Sequence, residues 1–124
     1  MASDGLVIDT SVAVLLLVGN EGLGNAVEGA QLHVSFVTEI ELFIFPGIAP
    51  EDNVHVSRLL ADCSIEGMNA GIKRATISLR RKYKFKLPDA IIAATAMHLG
   101  VPLVTADKKL FRAKDDLDIW MFQP

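Results

Sequence analysis

Short apolar segments of strand character alternate with helical segments along the whole chain, and this alternation limits the possible folds more than any other feature. Strand-like runs lie at residues 6–8, 31–37, 63–66, 101–105 and 118–122. Neither an internal repeat nor a linker interrupts them. Because a helix between two strands favours parallel pairing, the sequence predicts an α/β fold: a three-layer α/β/α domain with a mainly parallel sheet of about four to five strands. The length of 124 residues fits one domain, 1–124.

Helix-starting and helix-ending residues bound the segments between the strands. Helices are predicted at residues 12–18, 38–45, from 50 onward, 69–84 and 88–99, with a helical turn at 108–112. Thr10 or Ser11 can cap the first of these helices. The clearest helix has Pro88 at its start and Gly100 after its end. The glycines of segment 19–30 predict a loop with at most one helical turn.

Composition excludes several classes of protein. Hydrophobic residues make up 51% and charged residues 22%, which excludes a disordered or low-complexity chain. The single cysteine, Cys63, excludes an intramolecular disulfide framework and favours a reducing compartment. The early apolar run 12–18 is far shorter than the ~20 residues of a membrane span, and no Lys or Arg precedes Arg58, as a signal peptide would require. We therefore expect a soluble, cytoplasmic protein with no membrane association.

Positive charge is concentrated in one part of the chain. The net charge is −3, yet residues 73–114 contain eleven of the twelve Lys and Arg residues and only two acids, Asp89 and Asp107. Such a block is typical of a solvated helical face, and it is also typical of a surface that binds a polyanion. Charge alone leaves both interpretations open.

Three acids occupy positions that differ from those of ordinary surface acids. Asp9 and Asp107 each follow an apolar strand, and the carboxyl ends of parallel strands line the ligand crevice of an open sheet. Either residue could instead cap the helix that follows it. Asp89 is the only acid on the otherwise apolar helix 88–99. A buried carboxylate is costly unless it is paired or metal-bound, although the helix dipole also favours an acid in the first turn.

Glu41 is the fourth candidate, and it has two interpretations. Thr38-Glu-Ile-Glu41 fits a capping box, in which Glu41 would bind the backbone of Thr38. Glu39 and Glu41 lie about 200° apart on a helix, so only one of them can face a cleft shared with Asp9. Four convergent carboxylates repel one another unless a cation lies between them, and oxygen ligands select Mg²⁺ or Mn²⁺. Such a site suits phosphoester hydrolysis.

Four segments carry a resemblance to a known family. They are Val7-Ile-Asp9-Thr-Ser11, Ser35-Phe-Val-Thr38-Glu-Ile-Glu41-Leu42, Leu87-Pro-Asp89-Ala-Ile-Ile-Ala-Ala-Thr-Ala96 and Leu103-Val-Thr-Ala-Asp107-Lys-Lys-Leu-Phe111. In order and spacing they resemble the PIN-domain ribonucleases, and within these the VapC-like toxins. The resemblance implies a Mg²⁺- or Mn²⁺-dependent endoribonuclease with a small α/β/α fold, usually a homodimer, that a small antitoxin silences.

The resemblance also implies roles for individual residues. Its acidic quartet, which would bind the metal and carry catalysis, corresponds to Asp9, Glu41, Asp89 and Asp107. Its supporting hydroxyls correspond to Thr10 or Ser11 and to Thr105. The Thr-x-x-Glu-Leu pattern selects Glu41 over Glu39. The sequence departs from the family after Leu42, where Phe43-Ile-Phe-Pro-Gly-Ile intervenes, and in the short segment 19–30. These departures affect substrate fit and the dimer surface rather than the quartet.

Two basic clusters flank the proposed acidic site in the sequence. The residues expected to bind RNA phosphates are Arg80, Arg81, Lys82, Lys108, Lys109 and Arg112, and Lys84 and Lys86 lie in the same run. Two other functions remain: a catalytically silent PIN-like domain acting as an RNA- or protein-binding module, and a phosphatase or phospho-acceptor domain of another α/β family. The four intact acids argue against the first. Asp9-Thr-Ser11 lacks the Asp-x-Asp spacing of the second.

Overall fold

A five-stranded parallel sheet forms the centre of the computed structural model, which describes residues 5–124. The strands are β1 (Gly5–Ile8), β2 (Gln31–Ser35), β3 (Cys63–Glu66), β4 (Leu103–Thr105) and β5 (Ile119–Met121). Their order is β3-β2-β1-β4-β5, and every neighbouring pair is parallel. This confirms the predicted sheet and places β1 in its middle. The predicted domain also includes residues 1–4, which lie outside the described residues.

Helices cover both faces of the sheet. They are α1 (Thr10–Leu17), α2 (Glu21–Val27), α3 (Phe36–Ile44), α4 (Asn53–Ala61), α5 (Ala70–Tyr83) and α6 (Leu87–Leu99), with short 3-10 turns at Pro50–Asp52 and Leu110–Ala113. Successive strand residues point to opposite faces. Val7 accordingly packs in the apolar cluster under α5 and α6, whereas Leu6 and Ile8 pack in the cluster under α1, α2, α3 and α4. This confirms the three-layer architecture.

Helix α6 is the buried helix that its composition predicts. Every residue from Ala90 to Ala96 is buried. Pro88 lies in the first turn, and Gly100 ends the helix in the left-handed conformation with φ +70°. Glycine adopts this left-handed conformation at little energetic cost because it has no Cβ. The first turn of α6, and with it Asp89, is thereby held at the edge of the core.

The glycine-rich segment 19–30 is more ordered than the sequence predicted, because residues 21–27 form helix α2. Asn20 caps this helix by accepting a hydrogen bond from the backbone N of Leu23 at 2.9 Å. Leu23 and Val27 are buried, and their burial outweighs the low helix propensity of glycine. In the described part of the chain, no single helix is long and apolar enough to cross a membrane; only α1 and α2 taken together, bent by 117°, reach that length and composition.

The start of helix α3 differs from the prediction as well. The helix begins at Phe36, and Ser35 caps it by accepting a hydrogen bond from the backbone N of Val37 at 3.1 Å. Thr38 is therefore buried inside the helix rather than at its cap. This removes the capping-box interpretation of Glu41.

Candidate active site

Asp9 is a buried carboxylate at the carboxyl end of the central strand, only 3% exposed. Its Oδ1 accepts hydrogen bonds from the backbone N of Val12 at 2.9 Å and from Ser11 Oγ at 2.6 Å. Its Oδ2 accepts a hydrogen bond from Thr105 Oγ1. Asp9, rather than Thr10 or Ser11, is thus the N-cap of α1. The cap residue and the candidate site residue are therefore the same side chain, which caps α1 through Oδ1 and is bound by Thr105 at Oδ2.

The electrostatic state of Asp9 follows from this position. Burial raises the pKa of the Asp9 carboxyl above its usual value. The hydrogen bonds from Ser11, Thr105 and Val12 act against this rise, and the nearby charge of Asp107 adds to it. The hydrogen-bond donors therefore stabilise the ionised carboxylate of Asp9, but burial still makes its ionisation unfavourable.

The turn after β4 brings Asp107 to the same edge of the sheet. Asp107 donates its backbone N–H to Thr105 Oγ1 at 2.9 Å, and its Oδ1 accepts from the backbone N of Lys109, also at 2.9 Å. Ala106 donates its backbone N–H to Ser11 Oγ at 3.1 Å. The hydroxyls of Ser11 and Thr105 thus each connect Asp9 to the turn that carries Asp107.

Glu41 reaches the site from α3 on the other side of α1. Thr10 Oγ1 donates to Glu41 Oε1 at 2.6 Å and lies 3.1 Å from Thr38 Oγ1. Thr10 is the neighbour of Asp9 in the chain, so this hydrogen bond brings Glu41 to the carboxyl end of β1. The structure thus brings Glu41 into contact with the first residue of α1.

Asp89 connects the four acids electrostatically. It lies half-buried in the first turn of α6. Burial raises its pKa above the usual value, and the charges of Asp107, Glu41 and Asp9 raise it further, whereas Lys109 acts in the opposite direction. The side chain of Asp89 therefore lies near enough to the other three acids for their charges to act on it. We call Asp9, Glu41, Asp89 and Asp107 the acidic cleft.

The donor chemistry of the acidic cleft fits a hard divalent cation. All its donor atoms are carboxylate oxygens, and burial, together with the charges of neighbouring acids, raises the pKa values of Asp9 and Asp89. Among residues 5–124, no three His, Cys, Asp or Glu side chains converge closely enough to hold one ion as they stand. Mg²⁺ is usually held by one or two carboxylates and keeps several waters, so its binding does not require three convergent ligands.

The predicted basic residues have different surroundings. Lys82 pairs with Asp116 at 2.9 Å, and Arg112 Nη2 donates to the backbone O of Tyr83 at 2.9 Å. The remaining members of the predicted set are exposed: Arg80, Arg81, Lys108 and Lys109. Lys109 and Arg112 also line a pocket beside Asp89.

Two features of the surroundings were absent from the predicted site. Lys84 and Lys86 line the same pocket as Lys109 and Arg112, and their position just before α6 was the signal available in the sequence. An apolar cavity of about 460 Å³ adjoins the cleft on its other side and is lined by Thr10, Ser11, Val14, Leu15, Phe45, Ala106 and Pro124. Its lining comes from distant parts of the chain, so no local sequence pattern indicates it.

Comparisons with known proteins bear on this site. A family model described as "PIN domain" matches residues 6–117. A chain in a toxin–antitoxin complex from Klebsiella pneumoniae is 26% identical with a TM-score of 0.81, covering 95% of this chain and 100% of that one. The fold is also similar to chains in VapBC2 from Rickettsia felis bound to a promoter DNA fragment (18% identity, TM-score 0.79, 95% and 98% covered) and in VapBC-5 from Mycobacterium tuberculosis (22%, 0.75, 96% and 99%). The comparison with curated protein sequences found no match.

Proposed function

The chain belongs to the PIN domain family, and on that premise we propose that it is a divalent-metal-dependent endoribonuclease, the toxin of a toxin–antitoxin pair. The observation that carries this proposal is that hydrogen bonds gather Asp9, Glu41 and Asp107 at the carboxyl ends of β1 and β4, with Asp89 near enough for their charges to raise its pKa. Four carboxylates at one sheet edge are electrostatically unfavourable unless they serve a cation. A site of this kind is expected where phosphodiester bonds are hydrolysed.

The acidic cleft would hold Mg²⁺ or Mn²⁺ through Asp9, Glu41, Asp89 and Asp107. When bound, such an ion lowers the pKa of water and stabilises negative charge on the phosphate. The chain itself positions the ligands. Ser11 and Thr105 orient Asp9, and Thr10 orients Glu41, through the hydrogen bonds described above.

RNA is the proposed substrate, and the basic residues near the cleft would bind its phosphates. Our proposal keeps the set expected from the sequence: Arg80, Arg81, Lys82, Lys108, Lys109 and Arg112. The proximity of Lys109 to Asp89 supports it. Phosphate contacts of this kind make affinity fall with salt concentration, with a slope of about −0.7 per contact for a single strand.

The proposed protein partner is a small antitoxin that covers the acidic cleft. The chain's similarity to one in a toxin–antitoxin complex from Klebsiella pneumoniae supports this partner. An Arg or Lys side chain from the antitoxin would form charge-assisted hydrogen bonds with the carboxylates and compete with the metal. The RNA-cleaving activity of the purified protein would then fall as the antitoxin is added. We propose that the same inhibition occurs in the cytoplasm.

We also propose a homodimer, in which a second copy covers the exposed apolar end of α3. This patch consists of Ile40 (53% exposed), Phe43 (41%), Ile44 (72%) and Phe45 (37%). Contiguous apolar side chains of this size on a protein surface are typical of interaction sites.

A catalytically silent PIN-like module that binds RNA or protein is the second candidate. One observation favours it, since no three acids among residues 5–124 converge on one point. Cleavage distinguishes the two candidates, because a silent module would bind RNA without cutting it.

The test of the proposed function is cleavage of single-stranded RNA by matched variants of α3. With Mg²⁺, the wild type should cut the RNA and Glu41→Gln should lose at least about 10²-fold in rate, which corresponds to ~2.7 kcal/mol of activation free energy. Glu39→Gln removes the same charge from the same helix and should retain activity. Equal losses in both variants, or no Mg²⁺-dependent cleavage by the wild type, would contradict the proposal.

A further inference from the structure

Four cationic side chains meet in a pocket directly beside the acidic cleft. The pocket has a volume of about 160 Å³ and is lined by Lys84, Phe85, Lys86, Asp89, Lys109 and Arg112. We call it the basic pocket. Asp89 belongs to both the pocket and the cleft, so the two sites share a wall. Since four cations face one carboxylate, the pocket has an excess of positive charge.

The cations of the basic pocket are available for a ligand. In the described part of the chain, the ion pairs are His33–Glu66 and Lys82–Asp116, so none of the four pocket cations lies within ion-pair distance of a carboxylate. Lys82, one residue from the end of α5, is paired with Asp116 and does not line the pocket. Within the described residues, no ion pair therefore neutralises the four cations of the pocket.

The connection between α5 and α6 builds one wall of the pocket. Lys84 caps α5 in the left-handed conformation, with φ +58°, which is uncommon for a residue with a side chain. This turn reverses the chain, so that Lys84 and Lys86 face the pocket on either side of Phe85. Phe85 is only 4% exposed and anchors the turn in the core.

Arg112 forms the opposite wall and is held in a fixed orientation. Its Nη2 donates to the backbone O of Tyr83, and its guanidinium carbon lies 5.7 Å from the ring centroid of Phe85. The rings of Tyr83 and Phe85 stack with centroids 5.3 Å apart. A guanidinium held in this way loses little further freedom when it binds an anion with its remaining N–H groups.

The size and position of the basic pocket select the ligand. Its volume of about 160 Å³ is far above the ~10–15 Å³ that a cavity needs to hold one water, so a phosphate group fits. Lys and Arg are the side chains that bind phosphate most strongly, and Arg can do so with two parallel hydrogen bonds. Because Asp89 is shared with the cleft, a phosphate in the pocket lies next to the bond being cut.

We propose that the basic pocket binds the phosphate that neighbours the scissile phosphate in the RNA chain, with Arg112 as the oriented donor and Lys84, Lys86 and Lys109 as further cations. This inference rests on the proposed function. It divides the basic residues into two groups: the pocket cations fix the position of the RNA relative to the cleft, whereas Arg80, Arg81 and Lys82 near the end of α5 contribute only general attraction.

The first test compares loss of the same charge inside and outside the basic pocket. Arg112→Gln and Lys86→Gln should each raise the RNA concentration for half-maximal single-turnover cleavage about tenfold, and should reduce the salt slope of RNA binding by about 0.7. Lys73→Gln is the control, because Lys73 lies exposed near the start of α5, roughly 16 Å along the helix from Lys84. It should change neither quantity. Arg112→Lys should restore the salt slope but only part of the affinity.

The second test locates the bound phosphate on the RNA. Oligonucleotides carry one uncharged methylphosphonate linkage, placed in turn at each position around the cleavage site. The wild type should lose affinity most at a single linkage beside the scissile one. For Arg112→Gln, the uncharged group at that linkage should cause no further loss of affinity beyond the loss caused by the substitution itself. For Lys73→Gln, it should cause the same loss as for the wild type.

The outcomes separate this inference from the proposed function. If the wild type cuts no RNA, the proposed function is wrong, and the pocket inference is wrong with it. If the wild type cuts RNA and the pocket variants behave like Lys73→Gln, only the pocket inference is wrong. Loss of antitoxin affinity without loss of RNA affinity would show that the pocket binds an acidic protein segment instead, and would also overturn it.

Discussion

Thr105 donates a hydrogen bond from its Oγ1 to Oδ2 of Asp9, and this contact joins the carboxyl ends of strands β4 and β1. Both residues are buried. The other oxygen of Asp9 is already bound by Val12 and Ser11, so Thr105 completes the set of donors that fixes the carboxylate. The orientation of Asp9 is thus determined by donors from the first turn of α1 and from the end of β4.

Thr105→Val should test this relationship, because it removes the hydroxyl with little change in shape. Oδ2 of Asp9 would lose its donor, which should cost about 1–3 kcal/mol of stability and lower the cleavage rate. Urea unfolding and RNA cleavage measure the two effects. Thr76→Val is the control: Thr76 is also buried, but its hydroxyl bonds only the carbonyl of Ile72 within α5. Equal effects of both substitutions would show that Asp9 does not depend on Thr105.

The acidic cleft predicts how the stability of the metal-free protein depends on pH. Asp9 and Asp89 have pKa values raised above 3.8, so each binds a proton more readily in the folded protein than in the unfolded one. Each ionised carboxylate therefore lowers stability at pH 7, and this cost disappears as the pH falls through the raised pKa. Asp89→Asn should be more stable than the wild type in EDTA at pH 7. The difference should shrink as the pH falls towards about 4.

Glu66 contributes to the pH dependence of stability with a sign opposite to that of Asp9 and Asp89. Its hydrogen bond with His33 lowers its pKa below 4.5. The stabilisation that this pair provides is present above that value and is lost as the pH falls through the lowered pKa. Thermal unfolding of the wild type and Asp89→Asn across this range measures both effects. A wild type that is more stable than Asp89→Asn in EDTA at pH 7 would show that Asp89 acts only as a favourable charge at the start of α6.

Binding of Mg²⁺ should reverse the order of stability of these two proteins. At a hundred times its dissociation constant, Mg²⁺ should stabilise the wild type by roughly 2.7 kcal/mol, and it should stabilise Asp89→Asn much less. Thermal unfolding at increasing Mg²⁺ concentration gives both values. An equal gain for the two proteins would exclude Asp89 from the ligand set.

Much of the fold was predictable because local signals and burial agree. Helix α6 combines apolar composition, Pro88 and Gly100, and the structure buries it as predicted. Helix α2 was missed because the low propensity of its glycines is visible in the sequence, whereas the burial of Leu23 and Val27 is a tertiary effect.

The candidate site was predictable only in part, for a similar reason. Asp9 and Asp107 stand at strand ends and Asp89 stands in apolar surroundings, which the sequence shows. Cap and site were alternatives for Asp9 in the sequence; the structure shows the cap through Oδ1 and a hydrogen bond from Thr105 at Oδ2, so the cap does not occupy both oxygens. The basic pocket depends on the contact of Arg112 with Tyr83 and Phe85, which only the packing of the turn after β4 against α5 creates.

In the proposed homodimer, a charge placed on the exposed apolar face of α3 should disrupt the interface. Ile40 and Ile44 lie four residues apart on one exposed face of the helix, so Ile44→Lys should convert the dimer to a monomer in light-scattering measurements. The stability of the monomer itself should change by less than about 0.5 kcal/mol, because Ile44 is a surface residue. Ile77→Lys places the same charge on exposed Ile77 of α5 and should leave the dimer intact. A wild-type protein that is monomeric at micromolar concentration would contradict the dimer.

The chemistry of the cleaved RNA ends tests the central claim most directly. Single-stranded RNA is cut by the wild type with Mg²⁺ in water enriched in oxygen-18, and the products are analysed by mass spectrometry. Attack by water at the acidic cleft predicts 5′-phosphate ends that carry one heavy oxygen and 3′-hydroxyl ends, with no cutting in EDTA or by Asp89→Asn. Ends with 2′,3′-cyclic phosphate, or undiminished cutting in EDTA, would contradict a metal-dependent hydrolysis at these four acids.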